Sequence, residues 1–401
     1  MSGIGANIRR LREARGWSQA RLAREVCRLA GLSGAPIGRQ EISRYETGKR
    51  TPREWLPFLA DALGADVGDI RRPQNAPEPA MPTPADFLPA GDPLAPLRAR
   101  TGRRIGADTV VDLGRRVHGL RLADDVIAGG DLIRPALREL RVAVKLYREA
   151  SYSDAVGRAL LVQVGELAQI AGWIASDAGQ YGEAERIYRT GISAARQAAD
   201  LTLAGNLAGS LAYQYSNTGR EDEGVALARA AVHDAGQNAP AKARALYHDR
   251  VAWAHTKRGE AQLAMRALGE AADALAEDRP GSEAPSYLYW VDTGELRVME
   301  ARVHTELRRP LRAVPLLRDV MSNYEPTHTR ELALYLSWLA VALADANEPE
   351  EAARTAERVI TLASTVASER TAERVQAVLC RLEEFSGTPE VASILTLQQA
   401  L

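Results

Sequence analysis

The chain has 401 residues, a formal net charge of −1 and only two cysteines, Cys27 and Cys380. That length accommodates two or three domains with cores of their own, while two distant cysteines exclude a disulfide framework or a zinc-binding set and are expected as small buried hydrophobes in a reduced compartment. With no apolar leader and no run of about eighteen apolar residues, the protein is expected in the cytoplasm, without membrane contact.

Charge is unevenly spread. Residues 1–55 hold twelve Arg or Lys against five Asp or Glu, so a head near +7 precedes a body near −8. A basic module on an acidic body is the asymmetry of a chain in which one part meets phosphate and the other does not. Arg outnumbers Lys 47 to 4, which reads as coding bias.

The first predicted helix runs from about Ile4 to Arg15, with Ile8 and Leu11 inward, Arg9, Arg10, Arg12 and Arg15 outward, and Gly16 as its stop. Ser18 is placed to cap the second helix, whose apolar face is Leu22, Ala23 and Val26. After a connection ending near Pro36, a third helix carries Gln40, Glu41, Ile42, Ser43, Arg44 and Tyr45, and Thr47-Gly48 closes it. Pro52 opens a further helix that packs Trp55, Leu56, Leu59 and Leu63 on the others.

Ser18-Gln19, Leu22-Ala23, Ile42-Ser43, Glu46-x-Gly48 and Pro52 together resemble the Xre or phage-repressor class of helix-turn-helix domains, over roughly residues 3–70. The resemblance implies a double-stranded DNA partner. It gives Gln19 a backbone contact and a supporting role under the recognition helix, and gives Arg39, Gln40, Ser43 and Arg44 the base edges. Arg suits guanine and Gln suits adenine through paired hydrogen bonds, and Lys49, Arg50 and Arg53 would hold phosphates and fix register. The eighteen residues between Leu22-Ala23 and Ile42-Ser43 are about twice the usual span, so the stretch from Cys27 to Pro36 lengthens the second helix or the turn. A helix-turn-helix serving only as a packing module is the other reading.

Residues 73–104 carry Pro73, Pro77, Pro79, Pro82, Pro84, Pro89, Pro93 and Pro96. Proline at that density blocks helix and favours an extended spacer. The domains expected are therefore a five-helix head at 1–72, this linker, and an all-helical repeat body at 105–401.

The body repeats itself at forty residues. Gly179, Gly219 and Gly259 align, as do Gly172, Ala212 and Ala252 before them and Ala184, Gly224 and Ala264 after them. Two further units continue with Ala301 and Ala313, then Ala340 and Ala352. In the best unit, Gly165 to Ile192, the residues Gly172, Gly179, Tyr181, Ala184, Tyr188 and Gly191 resemble a tetratricopeptide repeat, so five units over about 165–365 are expected to form an α-solenoid. Small residues would let paired helices approach, and the glycine, replaced by Arg308 and Asn347 in later units, would end each first helix in a left-handed cap. Helices at 105–160 would form an N-terminal cap or a divergent unit; a last helix at about 368–386 would precede a short tail. An irregular helical bundle is the other architecture compatible with the pattern.

No catalytic constellation, cofactor fingerprint or metal-ligand spacing is visible among the six histidines, His118, His233, His248, His255, His304 and His328. His255 and His304 share a repeat position, which suits packing between units. Gly129-Gly130 reads as a turn. The concave face would carry Trp173, Tyr213 and Trp253 in successive units, then Arg302, flanked by Gln169, Asn206, Asn217, Asp249, Lys257 and Glu306. Such an aromatic stripe with amide and charged flanks suits a peptide or small-molecule effector; local packing or subunit contact would use the same residues.

A repressor-type head joined to such repeats is similar to bacterial peptide-pheromone receptor regulators and to repeat-bearing Xre-type regulators of high-G+C bacteria. That likeness implies a homodimeric, non-enzymatic transcriptional regulator. The alternative is an interaction scaffold whose DNA binding is weak or accessory.

Overall fold

In the computed structural model the described residues are 3–31, 36–65, 67–71, 103–127, 129–236, 238–279, 281, 283–323, 329–365 and 368–399. The proline-rich spacer expected at 73–104 lies outside them up to residue 102, as does His328. The chain divides into two compact units, Met1–Met81 and Pro82–Leu401. Among the described residues the secondary structure is helical, apart from one isolated bridge between Arg104 and Ser151.

The first unit contains α1 (Gly3–Ala14), α2 (Gln19–Leu29), α3 (Arg39–Glu46), α4 (Leu56–Leu63) and α5 (Val67–Arg71). Gly16, at φ 62°, ends α1 as anticipated. The Ser18 hydroxyl accepts from the Arg21 amide at 3.2 Å, satisfying one of the donors that α2 leaves open and contributing about 1 kcal/mol. Ile8, Leu22, Val26, Ile42, Leu59 and Ile70 are fully buried and form the core. Gly5 shows how close the helices come: a Cβ there would lie 2.4 Å from the Tyr45 carbonyl oxygen.

Two expectations shift here. Helix α4 begins at Leu56 rather than Pro52, because Pro52 is buried in the irregular stretch ahead of the turn at 53–55, and Pro57 takes the first-turn position that tolerates a missing N–H. Arg12, expected outward, is buried. Helix α2 stops at Leu29, so the extra residues fall in the turn and α3 starts at Arg39.

The second unit opens with α6 (Ala107–Val126) and α7 (Gly129–Glu149), whose start at Gly129 absorbs the Gly-Gly pair read as a turn. Five helix pairs follow. They are α8 (Asp154–Asp177) with α9 (Tyr181–Gln197), α10 (Leu201–Asn217) with α11 (Glu221–Ala235), α12 (Ala241–Lys257) with α13 (Ala261–Ala276), α14 (Thr293–Glu306) with α15 (Pro310–Asn323), and α16 (Thr329–Asp345) with α17 (Pro349–Ala363). Each first helix packs on its own second helix and on the first helix of the next pair, the arrangement of an α-solenoid. Helix α18 (Glu369–Leu382) extends the inner row, and a short 3-10 helix, Ser286–Leu288, precedes α14.

Every first helix ends alike. Gly179, Gly219, Gly259, Arg308 and Asn347 all have positive φ, between 54° and 79°. The next amide reaches back across the turn each time, as in Gln180 N–H to Ala175 O at 2.8 Å and Arg309 N–H to His304 O at 2.8 Å. This is the left-handed cap anticipated from the register, including its two non-glycine members. Within the first pair, a Cβ on Gly172 would meet the Tyr188 ring at 2.6 Å, so the small residue is what lets α8 and α9 close.

Helix α8 is long and apolar enough to cross a membrane by length and composition alone, but 61% of its most apolar stretch is buried inside the unit. Cys27 is buried as expected, whereas Cys380 is exposed, beside the buried Val378 and Leu379 of α18. The expected tail after residue 386 is instead α19 (Pro389–Gln399), which buries Val391 and Ile394.

The inner row also curls until its ends meet. Ser368, capping α18, donates to Asp177 at the end of α8 at 3.0 Å, and Tyr181 donates to Glu373 on α18 at 2.7 Å. Arg330 on α16 reaches Asp124 on α6, with Nη1 and Nη2 each 3.2 Å from a carboxylate oxygen and Nη2 2.7 Å from the Asp124 carbonyl. The solenoid is thus closed by contacts between residues 191 to 206 positions apart.

Candidate DNA interface and ligand chamber

Helix α3 presents its amino-terminal turns outward. Arg39, Gln40 and Arg44 are exposed and Ser43 half-buried, while Ile42 and Tyr45 point into the core. Spacings of one, three and four residues keep the four polar side chains on one face. Lys49, Arg50 and Arg53 lie exposed in the connection to α4. Six of the seven expected DNA-facing residues on α3 and its following loop are therefore exposed, and Ser43 is partly so.

Behind the helix sits a buried polar clamp. Glu46, 5% exposed, accepts from Arg12 Nε at 2.5 Å and Nη2 at 3.1 Å, and from Gln19 Nε2 at 2.8 Å. Arg12 Nη1 also donates to the Trp17 carbonyl at 2.7 Å. Gln19 thus supports α3 through a side-chain bond to its last residue. Arg12 faces inward because the otherwise unpaired Glu46 carboxylate requires a partner there.

Two features of this surface were not anticipated. Glu41, on α3 itself, accepts through one oxygen from both Arg44, at 3.1 Å, and Arg50, at 2.7 Å. On the first turn of α2, Arg21 is exposed with its guanidinium 4.9 Å from the Trp17 ring centroid. Glu41 was legible as an acid in a basic helix three residues before Arg44; the Arg21–Trp17 stacking has no sequence signal.

In the second unit the closed row of first helices surrounds a chamber of about 630 Å³. Gln169, Trp173, Asn206, Tyr213, Asn217, Trp253, Lys257 and Arg302 line it; Trp173, Tyr213, Trp253 and Arg302 share one repeat position, and Asn217 and Lys257 another. Asp249 does not. It is 2% exposed and paired to Arg250 at 3.1 Å behind the wall.

The aromatics are not an open stripe. Trp173, Tyr213 and Trp253 stack in series at 5.9 Å between centroids, and Trp338 meets Trp253 edge-on at 5.8 Å. Trp253 is only 4% exposed, and its indole N–H donates to Asn217 Oδ1 at 3.1 Å. Arg302 lies among three of these rings, 4.6 Å from Trp253, 5.3 Å from Trp338 and 5.6 Å from Tyr213, and donates to the Tyr213 hydroxyl at 2.5 Å. Arg374 stacks on Trp338 at 3.5 Å and Arg370 on Trp173 at 5.0 Å.

The electrostatics follow from that packing. Burial acts to raise the Tyr213 hydroxyl, but Arg302, Arg370 and Arg250 around it bring it below its ordinary value. Burial brings Arg374 down to about 10, against the pull of Glu306. Glu295 is raised by burial and is held by the Tyr335 hydroxyl at 2.8 Å.

Sequence reading missed Trp338, Arg374, Arg370 and the residues of α6 in this wall. Trp338 had a signal: it lies three residues before Val341, one turn back from the column of Trp173, Tyr213, Trp253 and Arg302. Stepping back one turn in each unit gives Ile170, Ser210, Arg250, Met299 and Trp338, all of which line the chamber. Among the described residues no group of three His, Cys, Asp or Glu side chains is placed to hold a metal. His255 and His304 each pair within their own unit, to Glu260 at 2.6 Å and Glu300 at 3.6 Å.

Residues 4–72 match the family model of a helix-turn-helix domain, which marks the N-terminal unit as a module of the kind that binds DNA and supports a regulatory role in transcription. No curated protein matches the chain.

Proposed function

We propose that the protein is a sequence-specific transcriptional regulator of the Xre type, whose tetratricopeptide-like repeats sense an effector and pair two copies into a homodimer. The observation that carries the proposal is the outward face of α3, with Arg39, Gln40, Ser43 and Arg44 free of the core and the Arg12–Glu46–Gln19 clamp fixing the helix from behind. Those four side chains take the base edges, and Lys49, Arg50 and Arg53 take phosphates. Two heads on one duplex require half-sites about 34 Å apart or a multiple of that.

The chamber supports the sensing role. Its volume, about 630 Å³, falls inside the roughly 300–1,000 Å³ of small-ligand pockets. Contacts that close the ring favour a compact ligand over a long extended peptide. An effector that prefers one curvature of the ring shifts the spacing of two heads; without such a preference it shifts nothing.

The experiment is selection of bound DNA with the full-length protein, followed by affinity against salt. A phosphate-contacting head loses affinity steeply with salt. Arg44→Ala and Gln40→Ala should each reduce binding to the selected site by about five- to a hundredfold and leave non-specific binding nearly intact. Unchanged discrimination in both variants would remove α3 as the reading helix. A salt-insensitive interaction would favour the scaffold reading.

A further inference from the structure

We propose that the chamber takes a small ligand with an anionic head, bound by the guanidinium groups of Arg302 and Arg374. This deepens the reading of the chamber as the effector site and rests on it.

The chamber wall contains both signs of charge, but the two signs are not equally satisfied. Its carboxylates have partners: Asp124 bonds Arg330, Asp125 takes the Tyr289 hydroxyl at 2.6 Å, Glu373 takes Tyr181, and Glu306 lies 3.4 Å from Lys257. The two central arginines are different. Arg302 donates only to the neutral Tyr213 hydroxyl, and its Nε is shut off from solvent with no acceptor. Arg374 donates through Nε to the Ser337 hydroxyl at 3.1 Å. Its Nη2 has no acceptor, and Glu306 stands 3.9 Å from its Nη1.

A guanidinium whose buried donors lack acceptors is costly, and aromatic stacking compensates for only part of its lost hydration. Here two lie against one ring, since Arg302 and Arg374 both contact Trp338. The positive field of this wall is felt at Tyr213, whose hydroxyl Arg302, with Arg370 and Arg250, brings below its ordinary value against the effect of burial. An anion entering the chamber gives each fork the acceptor it lacks, through charge-assisted bonds roughly twice as strong as neutral ones. The stacked indoles then offer their edges and faces to the apolar body of the ligand.

The probes are three molecules of one shape and different charge: phenylacetate, phenylacetamide and phenethylamine. Each is titrated into the full-length protein at constant ionic strength, following tryptophan emission and the unfolding temperature. Phenylacetate should bind with at least roughly tenfold preference over the amide, and the amine should bind least. Arg374→Gln should remove the preference while the amide still binds, and Arg302→Lys, which keeps the charge and the stacking but loses the fork, should weaken it. Circular dichroism establishes that each variant is folded. Equal binding of acid and amide by the unchanged protein would overturn the anionic head and leave the chamber standing as a ligand site. A preference that survives in both folded variants would move the anion elsewhere. No response to any of the three probes would overturn the chamber as the effector site together with the proposal.

Discussion

Arg12 on α1 and Glu46 on α3 form a two-pronged ion pair, at 2.5 and 3.1 Å, inside the head. Both side chains are nearly closed to solvent, at 10% and 3% exposure, so removing either leaves a buried charge. Loss of one partner of such a pair costs about 3–5 kcal/mol. Glu46→Ala should therefore loosen α3 against α1, raise amide exchange in both helices, and lower DNA affinity without touching any DNA-facing side chain. Exchange rates indistinguishable from those of the parent would show that the clamp is dispensable.

Glu41 gives a second expectation, of opposite character. It holds Arg44 and Arg50 through one oxygen, from a position on α3 where 18% of its side chain is exposed. A carboxylate there repels phosphate and keeps Arg44 in one orientation. Glu41→Ala should raise affinity for random-sequence DNA by a few-fold, corresponding to about 0.5–1 kcal/mol, and narrow the gap between the selected site and random DNA. Electrophoretic mobility measurements on both duplexes decide it, and an unchanged ratio would mean that the pair has no part in discrimination.

What the sequence disclosed depended on whether the cause was local. The caps at Gly179, Gly219 and Gly259 fix the phase of each unit, and once the phase is known Arg308 and Asn347 fall at the same left-handed position. Repeat position also brought Trp173, Tyr213, Trp253 and Arg302 to one wall. The closing contacts gave no such signal. Asp124, Asp177, Arg330 and Ser368 are single polar residues on four helices, two of them outside the five paired units, and only the accumulated curvature makes them neighbours. Asp249 was misplaced for a related reason: of its repeat column only Gln169 lines the chamber, and Asp249 pairs with Arg250 behind the wall. In the head, helix boundaries were legible from Gly16, Ser18 and Gly48. The inward turn of Arg12 was not, because it answers a carboxylate thirty-four residues away.

Two glycines in the repeats should respond oppositely to the same change. Gly219 sits in a turn at φ 79° with open space around its Cα, so Gly219→Ala introduces backbone strain and no clash; the expected cost is about 1–2 kcal/mol. Gly269 is exposed in the interior of α13, also with open space, and has ordinary helical φ. There Gly269→Ala should stabilise by about 0.5–1 kcal/mol. Chemical denaturation of the two variants tests the caps directly, and a shift of the same sign in both would contradict the left-handed assignment at residue 219.

Asp124 couples closure of the ring to pH. Burial raises its carboxyl to about 6 even though the neighbouring Arg330 pulls the other way, a case in which the cost of desolvation exceeds the attraction of the pair. An acid whose pKa rises on folding holds its proton more tightly in the folded chain. The stability it contributes is complete below the unfolded value of about 3.9 and is lost as pH climbs through the folded value. Asp124→Asn has no proton to lose over that window. The parent should therefore lose on the order of 1–3 kcal/mol relative to the variant between about pH 4 and pH 7, measured as the difference of their denaturation free energies at several pH values. Because Asp124 anchors α6 to α16 through Arg330, the loss should be accompanied by faster amide exchange at the facing ends of those two helices. Parallel stability curves for the two proteins would show that the carboxyl titrates as it does in the unfolded chain.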